Sequence, residues 1–252
     1  ITLAMSASAF AETQPASPQF DVSRGTINGM AGASYDGSGS GNDSFIYQSG
    51  NDNNTSVTQW GTQESRIRQI GSDNTANVTQ DDVVGGSGPG RNYSMIEQRD
   101  RGNRADVSQV GEENDSIVDQ EAGFRGWAYN YANVIQDGYR NDSWVQQDGF
   151  ANKSSIVQKG DLNDSYVLSE GSFNVTYTTQ NGDELDSDII SRGDRNYTAV
   201  TQNGYGHDSY VLTQGSGNTH YVNQVGVQGA GQHFSEIQTY GHNNYNIVNQ
   251  GN

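Results

Sequence analysis

A unit of about eleven residues recurs through most of this chain, and no other feature constrains its fold as strongly. The unit reads N-x-S-x-V-x-Q-x-G-x-x, and eighteen copies align. They begin at residues 42, 53, 63, 74, 92, 103, 114, 130, 141, 152, 163, 174, 185, 196, 207, 218, 233 and 244. The fifth position is Val or Ile in seventeen copies, with Thr178 in the other, and the seventh is Gln in fourteen. Distinct positions therefore keep distinct chemistry, which chance does not produce.

The spacing within the unit predicts a strand followed by a turn. Positions one, three, five and seven have period two, so their side chains share one face of an extended strand. Glycine at position nine has the backbone freedom that a tight turn needs. Helix is disfavoured because glycine recurs, β-branched residues dominate and a period of 3.6 is missing.

Stacking these strands predicts the architecture. Two units make a two-sided coil of about 22 residues, and coils stacked at ~4.8 Å place each Val or Ile on its equivalents. We therefore predict an all-β fold, a two-sided parallel β-solenoid of about nine rungs that forms amyloid by end-to-end stacking. Two neighbouring copies supply typical structural ladder residues: Asn141, Val145, Gln147, Gly149, Asn152, Ile156, Gln158 and Gly160.

The chain divides into three parts. Residues 1–11 resemble the remnant of a signal peptide, because small residues precede Glu12 at the positions that signal peptidase accepts. The alternative is a short disordered N-terminus. Residues 12–41 are predicted to be a disordered Gly/Ser-rich export segment, and 42–252 to be the solenoid. Longer interruptions at 83–91, 123–129 and 227–232 are predicted to be corner loops.

Composition excludes several classes of protein. Lys and Arg total 13 against 30 Asp and Glu, a net charge of −17, and the cations are scattered. Phosphate binding needs clustered positive charge, so we expect no nucleic acid partner. No later apolar run approaches the ~20 residues of a membrane helix, so we expect no membrane insertion. Without cysteine the chain has no thiol nucleophile, disulfide or cysteine-bound zinc.

The side chains that might suggest chemistry follow the repeat. Aspartates occupy the second position of odd-numbered copies and form a predicted acidic column: Asp115, Asp142, Asp164, Asp186 and Asp208. Like charges so stacked raise one another's pKa, which predicts a fold that gains stability and fibres that form sooner as the pH falls. The alternative is that these are solvated turn formers. Divalent cations could also bridge the carboxylates.

Neither catalysis nor a cofactor is predicted. His207 and His233 replace Asn at the first position of successive odd copies, within metal-bridging reach, but a tolerated ladder substitution is the favoured interpretation. The glycine run at 85–90 lacks the Lys-Ser/Thr of a phosphate loop. We therefore predict no enzyme, no catalytic residue and no dedicated metal site.

The outward positions and the ends predict surfaces for assembly. The fourth and sixth positions of odd copies are mainly apolar, and Trp144, Tyr166 and Tyr210 are the predicted anchors of a lateral face; even copies offer mainly Ser, Thr, Asn and Asp. The last copy carries no cap that the sequence encodes, and uncapped strand edges template pairing. The predicted end-rung residues are Phe45, Ile46, Gln48, Ile247, Val248 and Gln250.

The repeat resembles that of a known family. Gln48-x-Gly50-x-x-Asn53 and Asn53-x-Thr55-x-x-x-Gln59, repeated as far as Gln224, are similar to the curlin repeat of bacterial curli subunits, here in a long homologue. The resemblance covers about 42–252. It implies a secreted subunit of an extracellular amyloid fibre at the bacterial cell surface, active in biofilm matrix and adhesion.

The resemblance also implies partners: further copies of the chain, a minor curlin nucleator and an outer-membrane secretion pore. Three alternatives stay open. The chain resembles a major subunit or the nucleator equally well. A monomeric β-solenoid adhesin or ice-binding protein is a second class, although ice binding needs a more regular Thr-x-Thr array. A polysaccharide-active enzyme would need an acid/base cluster.

Overall fold

The computed structural model describes residues 42–82, 92–121, 129–226 and 232–251, and the regular elements in these ranges are all β-strands. One sheet, called the odd sheet, contains β1 (Asp43–Ser49), β3 (Glu64–Ser72), β5 (Tyr93–Arg101), β7 (Asp115–Glu121), β9 (Asp142–Phe150), β11 (Asp164–Ser172), β13 (Asp186–Asp194), β15 (Asp208–Ser216) and β17 (Phe234–His242). The other, the even sheet, contains β2 (Asn54–Trp60), β4 (Thr75–Asp81), β6 (Arg104–Glu112), β8 (Tyr131–Tyr139), β10 (Lys153–Asp161), β12 (Val175–Asp183), β14 (Tyr197–Tyr205), β16 (Thr219–Val225) and β18 (Tyr245–Gly251).

Each strand pairs in parallel with the strand two places along the chain. The pairing joins equivalent positions of the repeat, as when Val145 of β9 meets Val167 of β11. Each sheet has nine strands, so the chain makes nine rungs. The prediction of an all-β, two-sided parallel β-solenoid is confirmed. The predicted segments at 1–41 lie outside the described residues, as do the three predicted loops apart from Tyr129 and Gln232.

The core lies between the two sheets and follows the period of two. Val145 and Ile156, at the fifth position of neighbouring copies, are both 0% exposed. Thr178 replaces the usual Val or Ile and is also buried, with its hydroxyl 3.4 Å from that of Ser187. A hydroxyl can occupy the apolar column because it has this partner.

Side-chain amides form ladders on either side of the apolar column. Gln136 Nε2 donates to Gln158 Oε1 at 2.9 Å, and Gln158 Nε2 donates to Gln180 Oε1 at 3.0 Å. This ladder joins all nine strands of the even sheet, through residues 59, 80, 109, 136, 158, 180, 202, 224 and 250. The buried amides are therefore satisfied by the neighbouring rungs, as a polar core requires.

The first-position asparagines perform a similar task at the corners. Asn141 Oδ1 accepts from the backbone N–H of Asn163 at 3.1 Å, and Asn163 Nδ2 donates to the carbonyl of Gly182 at 2.8 Å. Asparagine supplies a donor and an acceptor at once. The column therefore ties each turn to the rungs on both sides.

The ninth-position glycines allow the turns to stack closely. Gly171 has φ +111, and a Cβ placed there would lie 2.1 Å from the carbonyl oxygen of Gly193 in the next rung. A left-handed conformation and this contact both exclude a larger side chain. The repeat therefore needs glycine here.

The substitution Gly171→Ala should lower the free energy of unfolding by about 2 kcal/mol or more, because it combines an unfavourable φ with a collision against backbone. Ser172→Ala, in the same turn, is the control and should change it by less than about 0.5 kcal/mol. Urea unfolding of the freshly purified monomer, followed by circular dichroism, measures both. Equal midpoints for the two variants would contradict the close packing of the turns.

Candidate functional site

The acidic column lies along the odd sheet. Its aspartates pair in register on β7, β9, β11, β13 and β15. Burial raises the pKa of Asp142 to about 7 and that of Asp164 to about 8, and neighbouring carboxylates of the column add to both shifts. Burial also raises the pKa of Asp208. The sequence suggested repulsion as the cause, but burial contributes more.

The burial has a local origin. The second position shares its face of the strand with the fourth, which is Trp144 in β9 and Tyr166 in β11. Each is the next outward side chain along its strand from Asp142 or Asp164. Desolvation by such neighbours favours the neutral carboxyl.

The two stacked histidines act as ladder residues. His207 is 0% exposed, and its Nδ1 accepts from the backbone N–H of His233 at 3.2 Å. That is the hydrogen bond that Asn Oδ1 accepts in other rungs. The rings lie 4.8 Å apart. Within the described ranges there is no cluster of three His, Cys, Asp or Glu side chains suited to a metal ion.

Another buried histidine lies in the even sheet. His220 occupies a third position, and its Nδ1 lies 3.1 Å from Asn246 Nδ2. Burial lowers the pKa of both His207 and His220. No role was predicted for His220, although an imidazole at a position that normally holds Ser, Thr or Ala was a visible signal.

These groups give the fold two opposite responses to pH. A carboxyl with a raised pKa keeps its proton where the unfolded chain has lost it, so Asp142 and Asp164 stabilise the fold as the pH falls through their folded pKa values. Histidines with lowered pKa values do the reverse. Below pH 6.5 the unfolded chain takes up protons that folded His207 and His220 do not.

We expect the urea midpoint to rise as the pH is lowered from 8 towards 6.5, and Asp142→Asn with Asp164→Asn to remove that rise. His207→Asn restores the usual residue and should reduce the loss of stability below pH 6.5. Asp137→Asn, at an exposed position, is the control. An unchanged rise in the double variant would show that the column does not cause it.

The lateral face of the odd sheet is less continuous than the sequence suggested. Trp144 and Tyr166 are half-buried, with ring centroids 5.5 Å apart. Tyr210 is only 8% exposed, which leaves little free surface for the partner contact predicted for it. Ion pairs occupy the N-terminal third of this sheet, where Glu97 meets Arg68 at 2.6 Å and Arg99 at 2.7 Å.

The even sheet also departs from the prediction of a polar surface. Tyr221 is 38% and Tyr245 64% exposed on its outer face. The rings of Tyr177, Tyr197, Tyr221 and Tyr245 follow one another with centroid separations of 5.9, 5.4 and 6.1 Å. The C-terminal strands of this sheet therefore combine aromatic rings with polar side chains such as Thr179 and Thr201.

The end rungs are open among the described residues. Ile46, at a fifth position, is 47% exposed, whereas its equivalents inside the solenoid are buried. Ile247 is 51% exposed on the outer face, and Val248 is half-buried at the edge of the core. Phe45 and Gln48 belong to the first edge, and Gln250 belongs to the last. Gln48 donates a hydrogen bond to Gln69, and Gln250 accepts one from Gln224.

Comparison with known proteins identifies the repeat. The family model described as the curlin associated repeat matches residues 193–226, which include β14, β15 and β16. The match confirms the resemblance to curlins. Among curated proteins, none matches the chain. The matched repeat family and the β-solenoid fold are structural rather than enzymatic. No helix long and apolar enough to cross a membrane occurs in the described part of the chain.

Proposed function

We propose that this protein is the structural subunit of an extracellular, curli-like functional amyloid fibre of the bacterial cell surface, serving biofilm matrix and adhesion. Its main partner is a further copy of itself, added end to end. By family resemblance, a minor curlin nucleates the fibre and an outer-membrane pore secretes the chain. The open end rungs carry the proposal.

At each position of the repeat, the backbone hydrogen bonds between rungs have a fixed direction. The second-position N–H donates to the first-position carbonyl of the following rung, as from Asp43 to Gln63 at 2.7 Å and from Thr219 to Asn244 at 2.8 Å. Residues of a parallel strand alternate in the neighbour to which they bond. The second, fourth and sixth positions therefore face the following rung. In β18 these are Tyr245, Ile247 and Asn249, which face the open edge.

The two edges complement one another. The Gln ladder donates forwards throughout, so Gln250 offers an Nε2 donor at one end and Gln59 an Oε1 acceptor at the other. Docking the last rung on the first rung of another copy continues both backbone ladders and covers the exposed Ile46. Unlike ends therefore fit, and the fibre has one polarity.

The substitution Ile247→Pro tests this docking. Proline removes a backbone N–H that faces the open edge and places its ring in the interface between two copies. It does not remove a hydrogen bond to β16. We expect monomer that folds but does not elongate. At substoichiometric amounts it should also stop wild-type growth, because its intact first rung still docks on a fibre end. Thioflavin fluorescence and electron microscopy measure both effects.

Ile247→Val is the matched control, since it changes the same side chain and keeps the N–H. It should elongate like the wild type. Normal growth by the proline variant would rule out end-to-end docking through this rung. If circular dichroism shows that Ile247→Pro does not fold, Ile46→Pro replaces it in the test. This variant makes the corresponding change at the other edge of the solenoid.

The remaining lateral-face residues give a second test. Trp144→Thr with Tyr166→Thr should leave the rung spacing unchanged but reduce fibre bundling, because it removes the aromatic pair and keeps strand propensity. Tyr197→Thr with Tyr221→Thr makes a comparable change on the even sheet and should not reduce it. Fibre widths in electron micrographs measure the effect. Undiminished bundling in the first variant would remove these residues from the lateral contact.

A further inference from the structure

The four tyrosines on the even sheet form a regular outer track. Tyr177 and Tyr221 occupy fourth positions of β12 and β16, and Tyr197 and Tyr245 occupy second positions of β14 and β18. Within each column the tyrosines recur at every second rung, a spacing of about 9.6 Å. Neighbouring rings are 5.4 to 6.1 Å apart. Together the rings make a zigzag parallel to the solenoid axis.

The outward positions of the four strands that carry this track are uncharged. The outward positions of β12, β14, β16 and β18 carry Val175, Tyr177, Thr179, Asn181, Tyr197, Ala199, Thr201, Asn203, Thr219, Tyr221, Asn223, Val225, Tyr245, Ile247, Asn249 and Gly251. None is charged, although the chain has a net charge of −17. One cation lies beside the track: the Nζ of Lys153, on β10, is 5.5 Å from the centre of the Tyr177 ring.

This chemistry restricts the class of partner. Nucleic acid and anionic polymers need clustered cations, which this surface lacks. A neutral partner needs no such cations. Tyrosine offers it a flat apolar face and a hydroxyl, and the surrounding Thr and Asn offer neutral hydrogen-bonding groups.

The spacing restricts the partner further. An extended β-1,4-linked glycan turns the same face of its sugar ring outward at every second residue, over a distance close to two rungs. Sugar rings present apolar C–H faces to aromatic rings and hydroxyls to amides. We propose that the tyrosine track binds a neutral, extended β-1,4-linked polysaccharide whose chain runs along the solenoid axis. In a fibre the track would recur once per subunit.

The test uses the freshly purified full chain as monomer, so that it does not depend on fibre formation. Suspended amorphous cellulose should deplete the wild-type protein from solution in a saturable manner. Tyr197→Thr with Tyr221→Thr should lower the association constant about tenfold, because the variant loses the binding free energy of two aromatic contacts. Tyr197→Phe with Tyr221→Phe keeps the rings and should retain most of the binding. Alginate gel, which is anionic, should not bind the wild type.

Tyr139→Thr with Tyr205→Thr is the matched control, because it removes two tyrosines outside the track, at tenth positions of the repeat. Its binding should equal that of the wild type. The proposal is overturned if the wild-type protein does not bind cellulose, or if the track variant and the control variant bind cellulose with the same association constant. It is also overturned if the track variant binds cellulose normally but no longer bundles, since the occupant would then be a second copy.

Discussion

The in-register stacking of buried amides is the constraint on which the rest of this solenoid depends. A column of Val and Ile alone would tolerate sliding, because hydrophobic contact has no direction. A buried Gln does not, since a slipped strand would leave its donors and acceptors unsatisfied at a cost of about 1–3 kcal/mol for each group. Gln158 illustrates this: its Nε2 contacts Gln180 and two backbone carbonyls, those of Asp142 and Asn163. The polar part of the core therefore specifies the register.

Register in turn decides which charges meet. Because every rung repeats the one before it, any ionisable side chain at a fixed position is placed beside its equivalents. In the odd sheet this brings Asp142 next to Asp164, and at one corner it brings His207 next to His233. Regular stacking therefore turns single substitutions into columns. The acidic column and the buried His207 therefore respond to pH in opposite directions.

The repeat period was sufficient to predict the fold, because inward positions are chemically constrained in every copy. Strand direction, pairing and the identity of the core followed from it. The outer faces were harder to predict, because packing there depends on neighbours from three rungs. Tyr210 is covered in the structure although its position is outward. The tyrosine track was missed because its members alternate between second and fourth positions, so neither position taken alone revealed it.

The two side-chain ladders differ in length, and this has a mechanical consequence. The odd sheet has Gln up to Gln147, but the same position then holds Ser169, Ser191, Thr213 and Thr239. The hydroxyls of the first three have no hydrogen-bond partner among the described residues. In those rungs the seventh position supplies no side-chain hydrogen bond between neighbouring strands of the odd sheet, which are joined there by the backbone ladder. A filament of such subunits would carry a mechanically weaker segment once every nine rungs, or about 43 Å. Tension along the filament axis would open that segment before the rungs that are joined by amide hydrogen bonds in both sheets.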